Sequence, residues 1–209
     1  MAIGKYYIGL DPSMAAFGIA IIDVGKQEII LDQLEADSHH DFVLMSWAIS
    51  NLWNEFYCKY DKYLESDESY VAQEAPISSG INSGKLNALG YAFYNNIGYN
   101  HSFGNIMTYH PMKLKSFHHK KGYTKKDTIA VVESMLDYFK SIGYSIDIRY
   151  SRTKKTLNIS DGEADAFIYA VKTYIDKRPE AKSTNDLLEM YPRLSVIESI
   201  EQTKGYLQN

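Results

Sequence analysis

The feature that most restricts the fold of this chain is a series of β-rich segments at its start. Lys5–Asp11 and Phe17–Asp23 are rich in β-branched and aromatic residues, and the small-residue turn PSMAA separates them. Glu28–Leu34 follows after Gly25 with a similar composition. Strands joined by short turns pair with their sequence neighbours, so the pattern predicts an antiparallel meander of three strands.

After the meander, helical and strand patterns alternate along the chain. Helical spacing of apolar residues covers Asp41 to about Leu64, about Lys85 to Asn96, Thr124 to Ile142 and Ser160 to about Asp176, whereas Ser69–Glu74 and Asn105–His110 have the composition of strands. Residues 144–158 are polar and basic, and their composition favours neither a helix nor a strand. This order predicts an α/β fold with a mixed five-stranded sheet flanked by helices.

Length and composition suit a folded protein that stays in water. The chain has 209 residues, 45% of them hydrophobic, which is enough to bury one core. The start, MAIGKYYIGLD, is too short for a signal peptide or a membrane span, so we expect a cytoplasmic protein without a membrane partner. Cys58 cannot form an internal disulfide, and its helical context predicts a small buried side chain.

The net charge of −4 hides an uneven distribution along the chain. Residues 1–74 hold 4 Lys and Arg against 13 Asp and Glu, whereas residues 105–160 hold 11 against 4. An acidic body with one basic region is compatible with a protein that binds phosphate groups locally.

Two acidic residues stand at the ends of predicted strands. Asp11 ends the first strand and Glu74 ends the strand in VAQEAP; Pro12 follows Asp11 directly, and Pro76 follows Glu74 after one alanine. Ligands bind at the strand ends of such sheets, so the two carboxylates are candidates for a common site. For either residue taken alone, an ordinary surface acid unrelated to the other is an equally good explanation.

The last predicted helix contributes two further acids. Asp161 and Asp165 are four residues apart in SDGEADAFIYAV and therefore share a helix face, where like charges repel unless a cation binds. Asp161 could instead complement the helix dipole. Glu163 points elsewhere, because Ser160 and Glu163 fit an S-x-x-E capping box. Mg²⁺ prefers such oxygen ligands, and four acids can hold two ions that promote phosphodiester hydrolysis.

With these motifs in order, the sequence resembles the RuvC-like Holliday junction resolvases of the ribonuclease H-like superfamily. The resemblance rests on IGLDPSMAAFGIAIID, VAQEAP with the KLNALG segment, PMKLKSF to GYTKKDTIAVV, and DGEADAFIYAV. It implies a ribonuclease H-like fold, a nuclease domain over residues 1–176 and a C-terminal extension over 177–209. Leu187, Leu188, Tyr191, Leu194 and Ile197 predict that this extension packs on the domain or a dimer.

The resemblance also implies an activity and a site. The activity is metal-dependent endonucleolytic cleavage of branched DNA by a homodimer, with two Mg²⁺ ions per site or Mn²⁺ in their place. The catalytic, metal-holding acids fall on Asp11, Glu74, Asp161 and Asp165. The penultimate acid often lies three residues before the last in this family, whereas this chain has Gly162 there, so Asp161 departs from the pattern.

A basic segment, KLKSFHHKKGYTKKD, precedes the helix that begins near Thr124. Its lysines come close to a helix start, where backbone N–H groups also favour phosphate, although such a run is often only a solvated surface. The resemblance implies DNA contacts for Lys115 and Lys126, and Lys120, Lys121 and Lys125 are further DNA-binding candidates. Arg149, Arg152, Lys154 and Lys155 extend this region or form an unpaired surface loop.

Other functions fit parts of the pattern. The sugar kinase, actin and chaperone ATPase superfamily also begins with strand, Asp, small-residue turn and strand, but it needs a second such domain and phosphate loop. Another ribonuclease H-like nuclease, such as an RNA-strand hydrolase or a transposase core, remains an alternative. A non-catalytic branched-DNA-binding module is another, but such a module should have lost one or more of the four acids.

Overall fold

The computed structural model describes residues 5–13, 16–35, 42–74, 106–109, 124–149, 159–178, 180–196 and 200–201. In chain order, the helices and strands of these residues are β1 (Tyr6–Pro12), β2 (Ala16–Asp23), β3 (Glu28–Glu35), α1 (Phe42–Leu64), β4 (Ser69–Glu74), β5 (Ile106–Tyr109), α2 (Lys125–Ser141), β6 (Ser145–Ile148), α3 (Asp161–Lys177), α4 (Lys182–Met190) and β7 (Ile200–Glu201), with a 3-10 helix (Pro192–Val196) before β7. The helix expected near residues 85–96 lies outside the described residues.

All seven described strands form one mixed sheet in the order β6-β3-β2-β1-β4-β5-β7. The pairs β1–β2, β2–β3 and β5–β7 are antiparallel, whereas β1–β4, β4–β5 and β3–β6 are parallel. The predicted meander and the α/β fold class are therefore confirmed. Two strands beyond the five expected ones extend the sheet. They were not predicted because β6 has only four residues, within a polar and basic stretch, and β7 has only two.

The sheet buries a hydrophobic cluster on each face. Alternate residues of a strand face opposite sides, so Tyr7 and Ala72 pack with α2 and α3, whereas Ile8 and Val71 pack with α1. Most residues of α3 are buried, because this helix lies across the central strands β1 and β2.

Two glycines let the α3 backbone lie directly on the sheet. A Cβ atom at Gly9 would be 1.8 Å from the carbonyl oxygen of Ala166. A Cβ at Gly18 would be 2.1 Å from the carbonyl oxygen of Gly162. No side chain of any kind fits such separations, so helix and strands approach as closely as they do only because both strand residues are glycine.

Capping boxes define the starts of α2 and α3, close to where the sequence predicts them. The Thr124 side chain accepts a hydrogen bond from the Asp127 N–H, and Asp127 accepts from the Thr124 N–H. Ser160 and Glu163 form the same reciprocal pair at α3. Each box satisfies backbone donors that a helix start leaves without partners.

The described part of the C-terminal segment lies against the α2–α3 side of the sheet. Leu187 and Leu194 are fully buried there, and Tyr191 packs against the same cluster. The prediction that Cys58 is buried was wrong, because this residue lies on the outward side of α1 and is exposed. None of the described helices is both long and apolar enough to cross a membrane.

Candidate active site

Asp11 and Glu74 come together through the register of two parallel strands. The last paired positions of β1 and β4 are Leu10 and Gln73, and each acid is the next residue of its strand. The same register continued by one residue puts the two acids side by side on strands about 4.8 Å apart. The strand-end position predicted for both residues is thus observed, on neighbouring strands.

Both acids belong to the face of the sheet that α3 covers. Tyr7 in β1 and Ala72 in β4 face the cluster that contains the buried side of α3. Since side chains alternate along a strand, Asp11 and Glu74 point to that same side. The strand acids and the helix acids therefore lie on one face of the sheet.

The first turns of α3 lie over the end of β1 that carries Asp11. Gly18 is the β2 partner of Asp11, and Gly18 is also the residue against which the Gly162 backbone rests. Asp161 begins the helix, and Asp165 follows one turn later on the same flank. The helix thus brings both aspartates to the region where β1 ends.

Gly162, three residues before Asp165, faces strands β2 and β3. A Cβ at this position would be 2.9 Å from Oε1 of Gln33 and 3.5 Å from the Gly18 Cα. An aspartate would point into the space between the helix and strands β2 and β3. Asp161, one residue earlier, has solvent access with a side chain that is 40% exposed.

Glu163 has a structural role that distinguishes it from the two aspartates. Its Oε2 accepts a hydrogen bond from the Ser160 N–H at 2.6 Å, and its own N–H donates to the Ser160 hydroxyl at 3.0 Å. The residue is fully buried. The predicted capping box is confirmed, and it engages Oε2 of this buried carboxylate.

Lys125 is bound to one of the candidate acids. Its Nζ donates to Oδ2 of Asp161 at 2.6 Å, which links the first turn of α2 to the first turn of α3. The lysine side chain is 81% exposed, so the pair is screened by water. Lys125 belongs to the basic segment, but its ion pair with Asp161 could not be predicted from the sequence, because no local pattern connects residues 36 positions apart.

The four acids offer the oxygen donors that a divalent ion requires, but they are not assembled around one point. Among the residues described, no group of three or more His, Cys, Asp or Glu side chains is positioned to hold a metal ion. The ammonium group of Lys125 is the cation in contact with Asp161. The donor set fits Mg²⁺ in its chemistry and in its placement on one face, and a metal ion at Asp161 would have to replace the Lys125 ammonium group.

The basic residues that the structure describes lie in two places, the first turn of α2 and the end of β6. Lys125 and Lys126 are both exposed in the first turn of α2, whereas Lys115, Lys120 and Lys121 lie outside the described residues. Arg149 is not an unpaired loop residue. It donates to Oδ2 of Asp147 at 2.7 Å and lies 5.8 Å from the centre of the Tyr60 ring on the α1 side.

Comparisons with known proteins support the fold. No family model matches the sequence, and no curated protein matches it. Among solved structures, the chain is similar to Thermus thermophilus RuvC in complex with a Holliday junction substrate. The TM-score is 0.54 at 13% identity, over 94% of this chain and 99% of the RuvC chain.

Two further similarities have lower TM-scores. The yeast mitochondrial Holliday junction resolvase Ydc2 gives 0.44 at 12% identity, over 90% of this chain and 82% of that one. The human cytomegalovirus terminase nuclease domain, Mn-soaked and inhibitor-bound, gives 0.44 at 18% identity, over 84% and 85%. The fold assignment rests on the first similarity together with the strand order. The chain has the ribonuclease H-like fold of the RuvC resolvases.

Proposed function

We propose that this protein is a divalent-metal-dependent endonuclease that hydrolyses phosphodiester bonds in branched DNA, such as Holliday junctions. The observation that carries the proposal is the placement of two strand-end carboxylates, Asp11 and Glu74, and two helix carboxylates, Asp161 and Asp165, on one face of a ribonuclease H-like sheet. An unrelated surface acid would have no reason to recur at each of these positions.

In this proposal the four carboxylates hold Mg²⁺ or Mn²⁺ and the backbone keeps them in place. Strand register fixes Asp11 relative to Glu74, and the helix holds Asp161 and Asp165 one turn apart. Two ions held by these carboxylates would supply water activation and stabilisation of the leaving 3′ oxygen for phosphodiester hydrolysis. Oxygen ligands from four acids suit this hard cation.

The lysines at the start of α2 bring positive charge to the same end of the fold. The Lys125–Asp161 contact places this first turn next to the acids, and Lys126 is the following, exposed residue. We propose that Lys126, with Lys115, Lys120 and Lys121 of the basic segment, binds DNA phosphates. Lys125 then has two alternative partners, Asp161 in the metal-free protein and phosphate in the complex.

A homodimer is part of the proposal, because a junction has two symmetric strands to cut. The separation of residues 1–176 as nuclease domain from 177–209 as extension is also proposed. Leu187 and Leu194 are buried against the α2–α3 side, so the described part of the extension stabilises that domain rather than forming one of its own.

Cleavage of labelled substrates tests the function directly. A four-way junction, the matching linear duplex and an RNA–DNA hybrid are incubated with the protein, with Mg²⁺ or with a chelator. We expect the junction to be cut in Mg²⁺ and not in chelator, with the linear duplex largely intact. Preferred cutting of the hybrid would favour an RNA-strand hydrolase, and junction binding without cleavage would favour a non-catalytic module.

A further inference from the structure

The ion pair between Lys125 and Asp161 joins two helix starts whose backbones are fixed independently of it. Thr124 closes the start of α2 and Ser160 closes the start of α3, each in a capping box. Neither box uses the side chain of Lys125 or of Asp161. The pair can therefore form or break by rotation of two side chains, while both helices stay in place.

Lys125 stands at a helix position that is unfavourable for a cation. Lys125 and Lys126 are the first two residues of α2, where the backbone N–H groups carry partial positive charge. Helix α3 begins instead with Asp161, the type of residue that such a start favours. An anion beside the first turn of α2 offsets the cost of its lysines. In the structure that anion is Asp161, whose Oδ2 is 2.6 Å from Nζ of Lys125.

The surroundings of the pair allow its lysine to change partners. The side chain of Lys125 is 81% exposed, and that of Asp161 is 40% exposed. An ion pair with this much access to water is weak, because solvent screens the two charges. A DNA phosphate carries several strong acceptor oxygens and competes well with one such carboxylate. The ammonium group of Lys125 is therefore available to either anion.

We propose that Lys125 couples DNA binding to metal binding at the candidate active site, an inference that rests on the proposed function. Without DNA, its ammonium group is bound to the Asp161 carboxylate and competes with a divalent ion for it. When Lys125 binds a DNA phosphate instead, Asp161 is released to act as a metal ligand. Such coupling is reciprocal, so a metal ion at Asp161 also frees Lys125 for phosphate. The protein then holds its metal ions most tightly where DNA is present.

Calorimetric titration of Mn²⁺ into the full-length protein without DNA tests the metal half of this coupling. We expect Lys125→Met to bind Mn²⁺ about two- to fivefold more tightly than the wild type, the range that an exposed ion pair supplies. Lys126→Met is the matched control, because it removes the same charge from the next exposed residue, which does not share the contact with Asp161. In Asp161→Asn protein, Lys125→Met should give no more gain than Lys126→Met does, since the partner of Lys125 is gone.

Binding of a four-way junction in chelator, measured by gel shift, tests the DNA half without metal or cleavage. Asp161→Asn should bind the junction about two- to fivefold more tightly than Asp165→Asn, because it releases Lys125 for phosphate. Asp165→Asn is the matched control, since it removes the same charge one helical turn away. When Lys125→Met is added to both variants, their affinities for the junction should become equal.

The two measurements distinguish a failure of the coupling from a failure of the proposed function. If Lys125→Met and Lys126→Met strengthen Mn²⁺ binding equally, the coupling is overturned while the metal site stands. Equal junction binding by Asp161→Asn and Asp165→Asn in chelator overturns the coupling as well. A wild-type protein that binds no Mn²⁺ overturns the proposed metal site and the coupling together.

Discussion

At the scale of single residues, the four acids differ in what holds them. Asp11 and Glu74 are held by strands whose backbones are paired on both sides, so their relative position is set by register. Asp165 lies within α3, whereas Asp161 is its first residue and is bound to Lys125. The strand pair is therefore the more rigid half of the proposed site.

Removal of one carboxylate at a time should separate catalysis from binding. Asp11→Asn, Glu74→Gln and Asp165→Asn should each lower Mg²⁺-dependent cleavage of a four-way junction by at least about 100-fold, because each would remove a charged ligand of the proposed metal site. Junction binding, measured by gel shift, and the unfolding midpoint should change little, since lysines supply phosphate affinity. A fully active Glu74→Gln protein would contradict the assignment.

The two acids at the start of α3 should respond in opposite ways. Asp161→Asn should reduce cleavage by about 100-fold, as expected for a metal ligand. Glu163→Gln should stay within about threefold of the wild type, because glutamine at this position also completes a capping box. Cleavage rates at saturating Mg²⁺ compare the two. An inactive Glu163→Gln protein beside an active Asp161→Asn protein would reverse the assignment.

At the scale of elements, the central feature is the close packing of the α3 backbone on β1 and β2. The helix backbone touches the strands at Gly9 and Gly18, so its height above the sheet depends on the absence of two side chains. Because α3 carries two of the four acids, this seating also determines how far Asp161 and Asp165 lie from Asp11.

A methyl group at the contact should therefore lift the helix. Gly18→Ala should lower the free energy of unfolding by about 1–3 kcal/mol, because its Cβ would meet the backbone of Gly162 rather than a movable side chain. Gly25→Ala is the matched control, since there the nearest atom is Cε of the Lys5 side chain, which can move. Urea unfolding of both variants measures the difference, and equal midpoints would mean that the helix adjusts without cost.

The first turn of α2 should contribute to DNA affinity through charge. If Lys115 and Lys126 each neutralise one phosphate, the double alanine variant should bind a four-way junction more weakly. Its plot of log affinity against log salt should be shallower by about 1.8, from about 0.9 per contact. Titrations of Asp11→Asn protein at several salt concentrations measure the slope. The control is Lys62→Ala with Lys140→Ala, two exposed lysines of α1 and α2 outside the basic segment. If the two plots have the same slope and the same affinity, this segment does not bind the DNA, and Arg152, Lys154 and Lys155 become the candidates for phosphate binding.

At the scale of the whole molecule, buried tyrosines occur on both faces of the sheet. On the α1 face, burial and the hydrogen bond to Asp32 raise the pKa of Tyr60. On the α2–α3 face, burial raises the pKa of Tyr144 to about 12, and burial with a hydrogen bond to Asp186 raises that of Tyr138. The folded protein thus favours neutral phenols over their ionised forms.

These raised values predict a loss of stability in alkaline solution. The pKa of an unfolded tyrosine is about 10, so the folded state holds these protons more tightly. The stabilisation is complete below about pH 10 and is lost as pH rises through about 12. Urea midpoints from pH 8 to 12 should fall above pH 10, together with the rise in phenolate absorbance. A midpoint that stays constant over this range would contradict the prediction.

The sequence alone was sufficient for those features that depend on neighbours along the chain. The meander, the strand Ser69–Glu74, the two capped helices and the strand-end positions of Asp11 and Glu74 all follow from local patterns. Apolar periodicity, turn residues and caps act over a few residues, so each can be recognised without knowing what packs against it. The same holds for Glu163, whose partner Ser160 is three residues away.

Tertiary structure decided everything that depends on contacts between distant segments. The register that aligns Asp11 with Glu74, the glycine contacts under α3 and the Lys125–Asp161 pair each join residues far apart in sequence. The exposure of Cys58 and the addition of β6 at a sheet edge also depend on how distant segments pack. Such contacts are selected by the packing of all elements at once, because a strand or helix has the same local energy against several neighbours and only the shared core distinguishes them.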